Sequence, residues 1–304
     1  MSSPNVIKTS RVEAGGELHR VTDLTHDILK GETFDHTDQL PQHQQDIPRP
    51  GIRWSEMGFK MELAGNTAGA GNVPPMGIFF KACGLKETIN VGTSVEYSTA
   101  NDFETDLVPL DIAAHKGNFV KESCLQAIGD MSMILEPGKP AICQFDFTGQ
   151  YEAPSEAAGV ATLDANLARP PICLALTLTF AGVVLIVRKL EWGLGNENNA
   201  PRRDLTEATG VKSAVLTGYD PFVKAMIEYP DKATADYVAN WTNETKVALN
   251  AVLGSAAGNT HTIDGDLYLK SFPVSGDDDG VMSQELEFAR SFQSGDTPLK
   301  LTVD

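Results

Sequence analysis

Apolar and polar residues alternate most clearly over residues 129–151, GDMSMILEPGKPAICQFDFTGQY. A period of two belongs to a half-buried strand, because successive side chains point to opposite faces. It sets Met131, Met133 and Leu135 on one face, and Cys143, Phe145 and Phe147 on one face of a following strand. Between them Pro137, Gly138 and Pro140 interrupt the ladder by fixing φ or favouring a positive one, so the segment predicts a β-hairpin. The same order of residues returns over residues 265–292, GDLYLKSFPVSGDDDGVMSQELEFARSF. There Gly265-Asp266 answers to Gly129-Asp130, and Glu285-Leu286-Glu287-Phe288 answers to Gln144-Phe145-Asp146-Phe147. The second turn is longer and acidic, and Leu286 and Phe288 again share a face. Two hairpins of one design, far apart in the chain, indicate two related β domains in tandem.

The rest of the chain fills in around them. Residues 52–65 predict a strand with Phe59, Met61 and Leu63 on one face; a Gly- and Pro-rich loop follows, then an apolar patch over 78–85 and a short strand over 91–99. Residues 100–117 read as an acidic loop. The apolar run 172–187 is shorter than the roughly 20 residues a spanning helix needs and carries Ala181-Gly182 at its centre, so it predicts two strands about a tight turn. Residues 231–243 predict a short helix, with Asp231 as cap and Val238 and Trp241 one turn apart on a common face. Val247, Leu249, Ala251 and Leu253 alternate as a strand, and LKLTV closes the chain. Residues 1–50 show no sustained period and are expected to form an extended arm or surface loop. The expected architecture is mainly β: an arm over 1–50, a first β domain over 51–155, a connector over 156–171 and a second β domain over 172–304.

Composition narrows the function. Acidic residues number 41 against 24 lysines and arginines, a formal net charge of −17. A protein that grips nucleic acid by its phosphates leans the other way, so either DNA plays no part or it must be kept from sticking. No signal peptide is apparent at the N-terminus, and the chain is expected to stay in the cytosol with its four cysteines, Cys83, Cys124, Cys143 and Cys173, as buried free thiols. No phosphate loop, H-E-x-x-H, G-x-S-x-G or C-x-x-C motif is present, and no catalytic, cofactor or metal residues are assigned. Gly65, Gly69 and Gly71 precede Pro74-Pro75 rather than a helix start, which speaks against a dinucleotide loop. His19, His26, His36 and His43 are scattered without paired ligands, and His261 has no nucleophile beside it. Asp277-Asp278-Asp279-Gly280 lacks the alternate ligand spacing of a calcium loop and reads as a solvated turn.

Several segments together resemble the major tail (tail-tube) proteins of long-tailed bacteriophages: FKMELAG; the run PPMGIFFKACGL at residues 74–85; GDMSMILEPGKPAICQFDFTGQYEAP; and, in the second half, GN..N..PR.D...ATG over 195–210, LTGYDP, and D-Y-x-x-x-W followed by VALNAVLGSAAGN. The resemblance covers most of residues 52–303. It implies two tandem tail-tube-like β-barrel or sandwich domains, each with a short helix, in a structural virion protein without an active site. Such proteins assemble into rings that stack into a tube through which DNA leaves the capsid. Six tube domains commonly surround the channel, so two per chain imply a homotrimeric ring with pseudo-sixfold symmetry; a homohexamer is the alternative. Implied partners are further copies of the chain and the other tail proteins (terminator, tape measure and tip), with synthesis and assembly in the host cytoplasm, no membrane, no cofactor, and DNA passing without specific binding. Gln144, Asp146, Glu285 and Glu287 are the candidate lumen-facing residues. A receptor- or carbohydrate-binding β-sandwich of the tail tip or a decoration is the competing reading; it would expose an aromatic cluster, whereas Trp54, Trp192 and Trp241 are spread along the chain.

Overall fold

The alternation over residues 120–151 is realised as the strands Val120–Leu135 and Ile142–Tyr151, paired in the register Met131↔Phe145 and Met133↔Cys143 and joined by a turn with Gly138 at φ +77°. The structure is a computed structural model. It describes residues 11–34, 49–99, 106–116, 120–156, 167–174, 177–197, 200–231, 236–271, 274–278, 280–291 and 293–304. Among these the fold is mainly antiparallel β, with two short helices, α1 (Gly77–Ala82) and α2 (Tyr237–Thr242).

Register carries one sheet across both halves of the chain. Its strands lie in the order Thr22–Phe34, Arg49–Glu62, Ile142–Tyr151, Val120–Leu135, Val187–Gly193, Phe222–Glu228, Val281–Arg290 and Val274–Asp278. Directly paired residues point to the same side. A single row therefore crosses six of these strands, Met61–Cys143–Met133–Trp192–Val223–Phe288, every member buried. Helix α1 closes this inner face. Phe79 packs edge-on against Phe59 at 5.1 Å, and Phe80 against Tyr97 at 5.0 Å. Gly77 allows that approach, since a Cβ there would lie 2.3 Å from the Tyr97 hydroxyl.

Beyond Val281–Arg290 the ladder continues into His261–Leu269, which is flanked by Val247–Leu253 and Lys300–Val303. Lys300–Val303 pairs in turn with Ser94–Thr99 from the first half. Ladders thus join the two halves at Val187–Gly193 and at Lys300–Val303, and their apolar residues share one buried cluster. A loop contact adds to this: Asn66 N donates to Gly258 O at 2.9 Å and Gly65 N to Asn259 Oδ1 at 2.8 Å. A Cβ on Gly65 would sit 1.8 Å from Gly258 O, so this joint requires glycine.

The tight turn at Ala181-Gly182 is present, with φ +51° and +78° between Thr177–Phe180 and Val183–Val184, and all four cysteines are buried and free. Other features differ from the reading of the sequence. Residues 11–34 are not irregular: Arg11–Ala14, Glu17–His19 and the 13-residue Thr22–Phe34 are strands. The last runs as a ribbon on Arg49–Glu62, its side chains alternating between half-buried and exposed, so neither face has the apolar stripe that betrays a strand. Leu110–Lys116 is also a strand; Ile112, Ala113, Ala114 and His115 are buried in succession, which erases the period of two. Helix α2 is capped by Asp236, whose Oδ1 accepts from Ala239 N at 2.9 Å, rather than by Asp231. Val238 and Trp241 do share a face, but it is the outer one, and Tyr237 is the buried anchor. The second copy of the hairpin keeps its residue order and changes its register: Leu267 pairs with Arg290, and an extra strand, Val274–Asp278, folds back on Val281–Arg290.

Candidate functional site

The outer face of the eight-strand sheet carries all four residues singled out from the sequence. On this side the row Glu62–Ile142–Ile134–Glu191–Lys224–Glu287 crosses the sheet, and beside it run Lys60–Gln144–Ser132 and Met226–Glu285. Inner apolar side chains alternate with these along each strand, so burying Phe145, Phe147, Leu286 and Phe288 turns Gln144, Asp146, Glu285 and Glu287 outward. With neighbouring strands about 4.8 Å apart and about 3.4 Å per residue, the two pairs are separated by roughly 19 Å across the strands and, by register, roughly 14 Å along them. Sequence repetition puts the pairs in equivalent positions; the structure adds that they share a face.

That face is acidic. Asp27, Glu56, Glu62, Asp130, Asp146, Glu191, Glu285 and Glu287 outnumber its lysines, which are mostly engaged: Lys60 with Asp23 at 2.9 Å, Lys189 with Glu191 at 3.1 Å, and Lys30 with Glu56. Lys224, opposite Glu287, lies 5.1 Å over the Phe222 ring. Gln144 Nε2 donates to Asp146 Oδ2 at 3.1 Å. Asp146 stands directly across from Asp130, and from Gly58 on its other side, where a Cβ would come within 2.6 Å of Asp146 Oδ1. Burial pushes the Asp130 carboxyl above the usual range and the charge of Asp146 adds to that, while the Asn196 N–H donating to Asp130 Oδ1 at 3.1 Å opposes both. A groove of about 160 Å³ runs over this spot, lined by Thr25, Asp27, Glu56, Gly58, Asp146 and Thr148. No group of His, Cys, Asp and Glu with metal-holding geometry occurs among the described residues. Chemically the surface can repel a polyanion and hold water; among its described residues no nucleophile is paired with a base.

One such arrangement does exist elsewhere, and sequence reasoning missed it because its members come from three strands with no common motif. His26 Nε2 lies 3.0 Å from Ser55 Oγ, and His26 Nδ1 lies 3.0 Å from Glu122 Oε2, which Lys116 also approaches at 2.7 Å. The order resembles a nucleophile, base and acid relay. Ser55 is fully buried, however, so no substrate reaches its oxygen. Burial, reinforced by Lys116, favours the neutral His26 imidazole and holds it below its ordinary range, while Glu122 pulls the other way. The group pins the Thr22–Phe34 ribbon to the strands beneath it. His115 likewise bonds Glu13 at 2.6 Å, His19 lies edge-on to Phe79, and His36 and His43 fall outside the described residues. His261 is buried, with Nε2 3.3 Å from Asn259 Oδ1. The side chains of Asp277 and Asp278 and all of Asp279 fall outside what the structure describes. The tryptophans do not gather: Trp192 is in the core, Trp54 donates to Glu56 on its own strand, and Trp241 is on α2.

Comparison with protein families gives one match, to the family described as phage tail tube protein, over residues 44–289. The matched span takes in the strands of the acidic face except Thr22–Phe34 and the last residue of Val281–Arg290. No curated protein matches the chain.

Proposed function

The chain belongs to the phage tail tube protein family, a family of structural virion components rather than enzymes, and from this premise we propose that its acidic sheet face lines the channel of a tube built from stacked rings of the chain. The observation that carries this reading is the continuous eight-strand sheet with Gln144, Asp146, Glu285 and Glu287 on one outward face. Both sheet edges, Thr22–Phe34 and Val274–Asp278, have a single ladder partner among the described residues, so each offers backbone groups to a neighbouring chain. Edge-to-edge addition closes the ring into a barrel, which removes the exposed edges.

Strand count favours three chains per ring. Three copies supply roughly 24 strands; at a spacing of about 4.8 Å and a tilt of about 40° these close into a barrel roughly 48 Å across between backbones, whereas six copies double the width. The narrower barrel already admits a DNA duplex with its hydration. In such a ring each half of the chain, 51–155 and 172–304, contributes its own strands to the wall, with the connector 156–171 between them. Terminator, tape-measure and tip proteins are the neighbours at the ends and in the bore of the tube.

Carboxylates on the wall serve passage rather than binding. A basic wall would release counterions from DNA and hold it, whereas an acidic wall keeps the phosphates off and leaves a water layer between. Replacing Asp146 and Glu287 together by lysine is expected to leave tube assembly intact and slow DNA release from particles carrying the altered chain, most strongly at low salt. Release at the normal rate from intact tails would remove these residues from the lumen.

A further inference from the structure

On the premise that the chain forms stacked rings, we propose that one ring is joined to the next by the Leu205 loop of one chain seating on an apolar rim around Tyr229 and Met282 of a second copy. Leu205 is fully exposed, at the tip of the loop between Ala200–Arg203 and Val211–Val215. The loop that presents it is built. Asp204 Oδ1 accepts from Thr206 N at 2.9 Å and Thr206 Oγ1 at 2.7 Å, Gly210 N donates to Glu207 O at 2.9 Å, and Arg53 N fastens Thr209 O at 2.9 Å. A lone exposed leucine is common on protein surfaces; what singles out Leu205 is that these bonds hold it outward at a fixed position.

The rim lies at the other end of the same strands. Arg53, where the loop is fastened, is near the start of Arg49–Glu62; Glu62 is in the row with Glu287, and the rim lies further on, past Glu228 and before Glu285. There Ile186 and Met282 are each more than 60% exposed, and Tyr229 and Val238 are about 40% exposed. Backbone bonds hold them in one group, Glu228 N to Ile186 O and Tyr229 N to Met282 O, both 2.9 Å. Tyr229 and Val238 also line an open cavity of about 410 Å³ beside α2, ample for a leucine.

Charge adds little to the contact: Arg202 flanks the loop and Asp231 the rim, but Arg203 is taken up by Glu32, Lys212 lies 4.0 Å from Asp204, and Glu228 is paired with Arg188, so apolar fit carries it. A contact between two different surfaces at opposite ends of one chain is heterologous, and along the tube axis it repeats without closing. That is what stacking requires, and it identifies the occupant of the rim as a second copy from the adjacent ring.

The test uses the full chain under conditions where the wild type makes tubes. Leu205→Asp, and separately Met282→Asp, are expected to leave rings visible by size exclusion and negative-stain electron microscopy and to abolish tubes. Because the four native cysteines are buried, a mixture of Leu205→Cys and Met282→Cys chains treated with a short thiol cross-linker is expected to give covalent dimers only when both chains are present and assembled. Normal tubes from Leu205→Asp, or cross-links only between like chains, would overturn the proposed contact while leaving the ring intact. A wild-type chain that never forms rings would instead overturn the tube reading beneath it.

Discussion

Replacing Trp192 by alanine is expected to lower the unfolding free energy by about 3–5 kcal/mol, the cost of deleting a fully buried large aromatic side chain and leaving its cavity. Trp192 is in the middle of the buried row Met61–Cys143–Met133–Trp192–Val223–Phe288, paired with Met133 from the first half of the chain and Val223 from the second. Its indole nitrogen has no hydrogen-bond partner among the described residues, so the loss is one of packing alone. Denaturant titration followed by far-ultraviolet circular dichroism, at concentrations below assembly, measures it; Trp192→Phe is expected to fall between the two. A loss below about 1 kcal/mol would mean that the row is not a close-packed core.

A difference of about 3 kcal/mol is expected between pH 7 and pH 4 when the wild type is compared with His261→Gln. Burial alone pushes the His261 imidazole down to about 4. In the unfolded chain the same group takes up a proton near pH 6.5, so between these values the unfolded state binds the extra proton. The stabilising contribution is therefore whole above about pH 6.5 and is lost as pH falls toward 4. Asp130 and Asp264, whose carboxyls burial raises, pull the other way at the acid end. The variant comparison cancels them, since glutamine fills a similar space without titrating. Parallel pH profiles for the two proteins would show that His261 is hydrated.

How much of this was legible in the sequence depended on distance along the chain. The hairpin at Pro137-Gly138 and the turn at Ala181-Gly182 could be read because residues a few positions apart carry both the period and its interruption. The outward placement of Gln144, Asp146, Glu285 and Glu287 followed from the same alternation. That the two pairs share one face did not, because it depends on Val187–Gly193 pairing with the end of Val120–Leu135, and no local pattern reports which strand edges meet. The Thr22–Phe34 ribbon escaped because it only half-buries one face, and the group Ser55, His26 and Glu122 because three strands bring it together. Repetition in sequence also concealed a change: the second hairpin is shifted in register by the inserted strand Val274–Asp278, which forms one edge of the sheet.

Cryo-electron microscopy of tubes assembled from the purified chain tests the channel assignment most directly, since one reconstruction reports both the number of chains around the axis and the face turned toward it. Rings of three chains, with Asp146 and Glu287 projecting into the bore and Thr22–Phe34 abutting Val274–Asp278 of the neighbour, are the expected result. A reconstruction with these carboxylates on the outside of the tube, or buried between chains, would contradict it.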